Sequence, residues 1–183
     1  MRTHAPLPRT VAFRLMQEDE LPRLIAWLRA SHVAPWWQRS ATADAIARTY
    51  VPRLRGKTEV RVYTLLADNV PVGMIQAAPP EARHATIKAA CSIDFLIGEA
   101  GLIGRGLGAR ALDAFVTEEV FGELGLSTCL ADPDATNHRS IRALARAGFS
   151  QVDRFNHGDR TFILMARHCA CETNPVRANP VRQ

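Results

Sequence analysis

The residues with the clearest chemical potential lie in one stretch, 93–108, which reads Ile-Asp-Phe-Leu-Ile-Gly-Glu-Ala-Gly-Leu-Ile-Gly-Arg-Gly-Leu-Gly. An alternating apolar run ends in a glycine-rich loop that opens into an amphipathic helix. Backbone N–H groups of Ile103, Gly104, Arg105, Gly106, Leu107 and Gly108 can therefore converge beside a helix N-terminus, where an anion such as a phosphate is held. Gly104, Gly106 and Gly108 permit positive φ and close backbone approach, and Arg105 adds a charge. A carboxylate, Asp94, stands ten residues before Gly104. A second, Asp132, follows a later apolar run; Asp before Pro is also a common turn former. Trp36 and Trp37 suit either stacking on a ligand or closing a core. Asn137 is placed to cap a helix or to hydrogen-bond a bound molecule.

The chain that positions these groups has 183 residues, 47% of them hydrophobic and 22% charged, which are values for one globular domain with a full core. No apolar run approaches the ~20 residues of a membrane span, and the first residues lack the apolar stretch of a secretory signal, so no membrane partner and a cytoplasmic location are expected. The net charge of +5 is spread along the chain without an aromatic-basic stripe, which argues against nucleic acid. None of the four cysteines has metal-ligand spacing, so no metal is expected, and Cys91 and Cys129 read as reduced core residues.

Periodicity predicts a strand over 11–15, a helix over 18–30 with Glu18, Asp19 and Glu20 in its first turn, and a helix over 42–54 whose end Pro52 obscures. Residues 61–67 and 70–77 form a hairpin about Asp68-Asn69. A loop over 78–88 leads to a strand over 89–97, followed by a helix over 108–121 and a strand over 126–131. A short helix capped at Thr136 or Asn137 runs to Arg146 and ends at Gly148, and strands over 150–155 and 161–166 follow. The expected fold class is α/β, a mixed sheet flanked by helices. A flexible N-terminus is expected over 1–10, one domain over 11–167, and a disordered tail over 168–183.

That element order, with the glycine loop after the fourth strand and Asp132-Pro133-Asp134-Ala135-Thr136-Asn137 after the fifth, resembles the GNAT superfamily of acyl-CoA-dependent N-acyltransferases. Within it, the string from Trp27 through Trp36-Trp37, the Ile93-Asp94 pair and Ala131-Asp132-Pro133 look like the aminoglycoside 6′-N-acetyltransferases. The resemblance implies a mostly antiparallel sheet whose fourth and fifth strands splay apart. Acetyl-CoA would pair its pantetheine arm with the backbone of Phe95, Leu96 and Ile97, rest its pyrophosphate on residues 103–108, and meet Asn137. It also implies a small-molecule amine as acceptor, with Asp94 as base or amine anchor, Asp132 helping to hold the cationic substrate, and Trp36 or Trp37 bordering the acceptor. Monomer and homodimer both remain open.

Three departures accompany the likeness. Ile103 stands where family members carry Gln or Arg. Leu144 stands where a tyrosine protonates the departing thiolate, leaving Tyr63 or direct release to water as alternatives. The connection over 78–90 is short, with Arg83, His84 and Lys88 against Glu81, where relatives have a longer acidic insertion. Alternatives to an aminoglycoside acceptor are therefore another amine (a siderophore hydroxylamine, a polyamine or a protein N-terminus) or a non-catalytic acyl-CoA-binding module. His32 reads as structural rather than catalytic.

Overall fold

A computed structural model describes residues 8–37 and 42–170. Seven strands, β1 (Val11–Leu15), β2 (Arg61–Ala67), β3 (Val70–Ala78), β4 (Ala90–Ile97), β5 (Thr128–Ala131), β6 (Ser150–His157) and β7 (Arg160–His168), form one sheet in the order β1-β2-β3-β4-β5-β7-β6. Only β4 and β5 pair in parallel; every other neighbouring pair is antiparallel. Helices α1 (Leu21–Arg29) and α2 (Ala43–Leu54) pack on one face, and α3 (Leu107–Phe115) and α4 (His138–Arg146) on the other.

Alternation along the central strands sorts side chains between these layers. Ile75, Ala77, Cys91 and Ile93 meet Phe115, Leu112 and Leu144 on the α3/α4 side, whereas Met74 and Leu96 meet Trp27, Leu28 and Tyr50 on the α1/α2 side. Phe115 is fully buried and takes edge contacts from Phe13 and Tyr63 at 5.1 and 5.0 Å. Burying such a ring contributes about 1.5–3 kcal/mol. Cys91 and Cys129 are free, buried and adjacent in the β4/β5 register.

Several boundaries differ from expectation for identifiable reasons. Glu18, Asp19 and Glu20 form a separate 3₁₀ turn ahead of α1, because the Glu20 carboxylate is drawn inward to Arg14 and the Thr64 hydroxyl while Glu18 pairs with Arg55. Helix α2 continues past Pro52, which sits in the last turn. After Phe115, α3 continues over Val116–Glu123 as a wider π-type helix that keeps Val116 and Val120 buried, two residues beyond the expected end. The hairpin turn is as read, with Asp68 and Asn69 at φ 47° and 64°. The last two strands are longer than expected and leave only Gly158-Asp159 as their turn. Pro8, Arg9 and Thr10, expected within a flexible terminus, are tied down: Arg110 donates to the Pro8 and Arg9 carbonyls, and Asp68 accepts from the Arg9 and Thr10 amides. The expected flexible residues 1–7 and tail residues 171–183 lie outside the described residues.

Candidate active site

The sheet opens where β4 and β5 part. They pair only at Ala90↔Thr128, Cys91↔Cys129 and Ser92↔Leu130, although β4 runs on to Ile97. On its other edge β4 stays paired with β3 through Gly73↔Ile97. The β5-facing edge of residues 93–97 is thus left to partners other than a strand, as buried backbone groups require. One is His32, whose Nε2 lies 3.0 Å from the Ile97 carbonyl oxygen, placing this histidine in a structural position.

A cavity of about 330 Å³ extends from this edge. Phe95, Leu96 and Ile97 form one wall, the loop residues Ile103, Gly104, Gly106 and Gly108 another, and Asn137, Ser140 and Arg142 of the α4 end a third. Gly104 and Gly106 adopt φ 75° and 88°, and Gly106 caps α3 from the left-handed region that disfavours side chains. Gly108 differs: its φ is not positive, and a Cβ there would make only ordinary contact with the Phe95 ring at 3.5 Å, so the position does not demand glycine. Two side chains of the loop segment turn away from the cavity. Leu107 is buried beneath α3 among Leu65 and Val72, and Arg105 folds back to donate to the Gly101 carbonyl at 3.4 Å. The sequence reading missed Arg139, Arg142 and Arg146, which line this cavity. Their spacing of three and four residues on a helix was the available signal.

A second cavity, about 440 Å³, opens on the other side of the same gap. Asp94 lies within it, and the register pair Gln76↔Asp94 sets the two side chains next to each other on one face. Gln76 Nε2 donates to Asp94 Oδ2 at 2.6 Å, and Arg53 Nη1 of α2 donates to Gln76 Oε1 at 2.7 Å, fixing the amide's direction. Both residues escaped the sequence reading; the visible hint was a glutamine in the otherwise apolar run of β3. Asp132 faces the same cavity. Burial, reinforced by the charges of Asp94 and Glu81 and opposed by Arg83, pushes its carboxyl up to about 6.

Other carboxylates here are already paired, Glu81 with Arg83 at 2.7 Å and Asp134 with Arg160 at 2.6 Å. Among the described residues neither Asp94 nor Asp132 has a cationic partner within salt-bridge distance. Trp36, 37% exposed, and the more buried Trp37 border both cavities. Trp37 also packs on the α1/α2 core. Asn137 borders both as well, while its Oδ1 accepts from the Ser140 amide at 3.1 Å as the α4 cap. Its two readings are therefore compatible.

Tyr63 lies elsewhere. It packs on Phe115 beneath the opposite face and borders neither cavity, so it is not placed to donate a proton here. Leu144 lines the second cavity and is 1% exposed. No group of three or more His, Cys, Asp or Glu among the described residues is arranged to hold a metal ion. No helix among them is long and apolar enough to cross a membrane.

A phosphate-type loop and an acidic cavity that meet at a gap in the sheet can bring an anionic donor and a cationic acceptor together. Comparison with known proteins agrees with this arrangement. Residues 16–157 match the acetyltransferase (GNAT) domain family. Aminoglycoside N(6′)-acetyltransferase type 1 from Klebsiella pneumoniae is 30% identical over 86% of this chain and 83% of its own length, and the Serratia marcescens protein of that name matches equally. The structure of AAC(6′)-Ib in complex with ribostamycin and coenzyme A superposes with a TM-score of 0.80 at 26% identity, covering 92% of this chain and 99% of that one. AAC(6′)-Ib with coenzyme A and kanamycin gives 0.77 at 27% identity, covering 87% and 95%. The chain belongs to the GNAT acetyltransferase family and is an N-acetyltransferase.

Proposed function

We propose that this enzyme transfers the acetyl group of acetyl-CoA to a primary amine of an aminoglycoside, at the 6′ position, with residues 11–167 as the catalytic domain. The supporting observation is the pair Asp94 and Asp132. Two carboxylates without cationic partners share one cavity, and burial together with the Asp94 charge disfavours ionisation of Asp132, so an ammonium group supplies the missing charge. Acetyl-CoA occupies the first cavity, its pyrophosphate on the main-chain donors of residues 103–108 and its pantetheine arm along Phe95, Leu96 and Ile97. The names of the relatives and the ligands of the neighbouring structures favour the same substrate class.

A thioester needs little activation, so the work lies in delivering an unprotonated amine at near-attack distance. Asp94 binds the ammonium and accepts its proton, with Gln76 holding the carboxylate in place. Asp132 anchors the cationic ring system, and Trp36 covers it with an indole face. N–H groups freed along β4 stabilise the carbonyl oxygen as it becomes negative.

Purified protein with acetyl-CoA and a kanamycin-type aminoglycoside should release CoA and yield a 6′-N-acetyl product identifiable by NMR. Asp94→Asn should abolish most of that turnover. Failure of every aminoglycoside, with steady CoA release on a different amine, would overturn the substrate assignment. One observation favours such a second reading. Arg53 and Arg83 line the cavity beside the carboxylates, Arg83 lying 4.4 Å over the Phe155 ring. These cations suit an acceptor with fewer charges than a polycationic antibiotic, and a panel including polyamines, hydroxylamines and peptide N-termini separates the two.

A further inference from the structure

We infer that Ser140 is the catalytic residue that delivers a proton to the sulfur of CoA as it leaves, a role resting on the reading that the first cavity holds acetyl-CoA and the second the amine. The reacting carbonyl must lie where donor and acceptor meet, so the thioester sulfur is bordered by residues common to both cavities. These are Trp36, Trp37, Phe95, Asn137 and Ser140. Phe95 carries no polar atom in its side chain, and the indole and Asn137 amide N–H groups donate but cannot take a proton on the same nitrogen in exchange, as a hydroxyl oxygen can. Asn137 is moreover committed through Oδ1 to the Ser140 amide at 3.1 Å. Ser140 brings the one side-chain hydroxyl of this shared set, and among the described residues no side chain engages that hydroxyl.

Placement within α4 supports the role. Ser140 lies in the first turn, where the Asn137 cap fixes its backbone and the positive end of the helix favours negative charge developing on sulfur. Leu144, four residues on along the same helix face, is buried and offers no donor. One turn nearer the helix start on that face stands Ser140, which does carry a donor.

The step balances without a further reactant. After Asp94 has taken one proton from the ammonium, the amine nitrogen bonds to the thioester carbonyl carbon and the carbonyl π pair moves to oxygen. The adduct nitrogen then carries one proton too many. As the oxygen pair returns to re-form the carbonyl, the carbon–sulfur bond breaks with its pair going to sulfur, and the Ser140 hydroxyl proton moves to sulfur while the surplus nitrogen proton replaces it on Oγ. Amide and CoA thiol result, and serine ends as it began, without passing through a free alkoxide.

The test is Ser140→Ala and Ser140→Thr in the full chain, with acetyl-CoA affinity by calorimetry and single-turnover acetylation of an amine that the wild type accepts. Alanine suits a helix at this position, so folding is retained. S140A should slow acetyl transfer about 10²-fold, leave the acetyl-CoA dissociation constant within about twofold, and lower the solvent deuterium isotope effect. S140T, which keeps a hydroxyl, should recover most of the rate. A wild-type rate in S140A overturns the proposal, as does a slowing that S140T fails to rescue or that follows lost cofactor affinity. Absence of acetyl-CoA binding or of any amine acetylation by the wild type itself overturns the underlying reading instead.

Discussion

Replacing Asp132 by Asn should stabilise the ligand-free enzyme while impairing it, and only above a definite pH. Burial together with the charges of Asp94 and Glu81 moves the Asp132 carboxyl from 3.8 to about 6. At about 1.4 kcal/mol per tenfold change in proton affinity, that rise weights the fold against the ionised form by about 3 kcal/mol. Residual contact with solvent reduces the usable effect to about 1–2 kcal/mol. A group whose affinity for protons is higher in the folded chain contributes its full stability below the unfolded value. That contribution is lost as pH rises through about 6. Asparagine cannot ionise, so D132N escapes the penalty. For a chain of this size its Tm should exceed the wild type's by roughly 2–8 °C near pH 8 and by almost nothing near pH 4. In the same variant kcat/KM for a cationic acceptor should fall about tenfold or more, because the cavity loses the charge proposed to anchor the cationic ring system. Thermal melts at the two pH values, with and without acceptor, decide the matter. An unchanged or lowered Tm near pH 8, or an equal gain near pH 4, would refute the idea that this carboxylate is held at the cavity against its own solvation.

Asp94→Asn should lower kcat by roughly 10²–10⁴-fold with a dissociation constant for acetyl-CoA close to that of the wild type, read by steady-state kinetics and calorimetry. Arg53→Ala frees the Gln76 amide to turn, so kcat should fall about tenfold while the melting curve changes little; circular dichroism and turnover measure both. Gly98→Ala should destabilise by roughly 1–3 kcal/mol in urea unfolding, since the added methyl would sit 2.0 Å from the Trp27 ring. The Trp27-to-Glu99 hydrogen bond, 3.0 Å long, should be lost with it. Gly106→Ala, at φ 88°, should cost about 1–2 kcal/mol of backbone strain and weaken acetyl-CoA binding through the displaced loop.

Local patterns carried much of this architecture. The Asp68-Asn69 hairpin, the amphipathic faces of α1 and α4 and the loop-to-helix junction at Gly106 depend on neighbours within a few residues, and each was legible. What depended on register was not. Gln76 becomes Asp94's partner only because β3 and β4 align at that pair, and Arg53 reaches them only because α2 crosses this face. No spacing along the chain encodes either. Ser140 was hidden for a related reason, since a serine three residues after an N-cap is unremarked until two cavities are seen to meet there. Leu107 and Arg105 show what reading a motif as a unit leaves out: one side chain enters the core and its near neighbour lies over the loop.

The short union of β4 with β5 has a mechanical consequence. Strands β1 to β4 and β5 to β7 form two plates soldered along three residue pairs, with a V-shaped notch beyond them. A ligand wedged in that notch touches both plates at the open end, where leverage on the joint is greatest. Cofactor occupancy should therefore stiffen the whole sheet, and slowed amide exchange at Cys129 and Leu130, far from any diphosphate, would register its arrival.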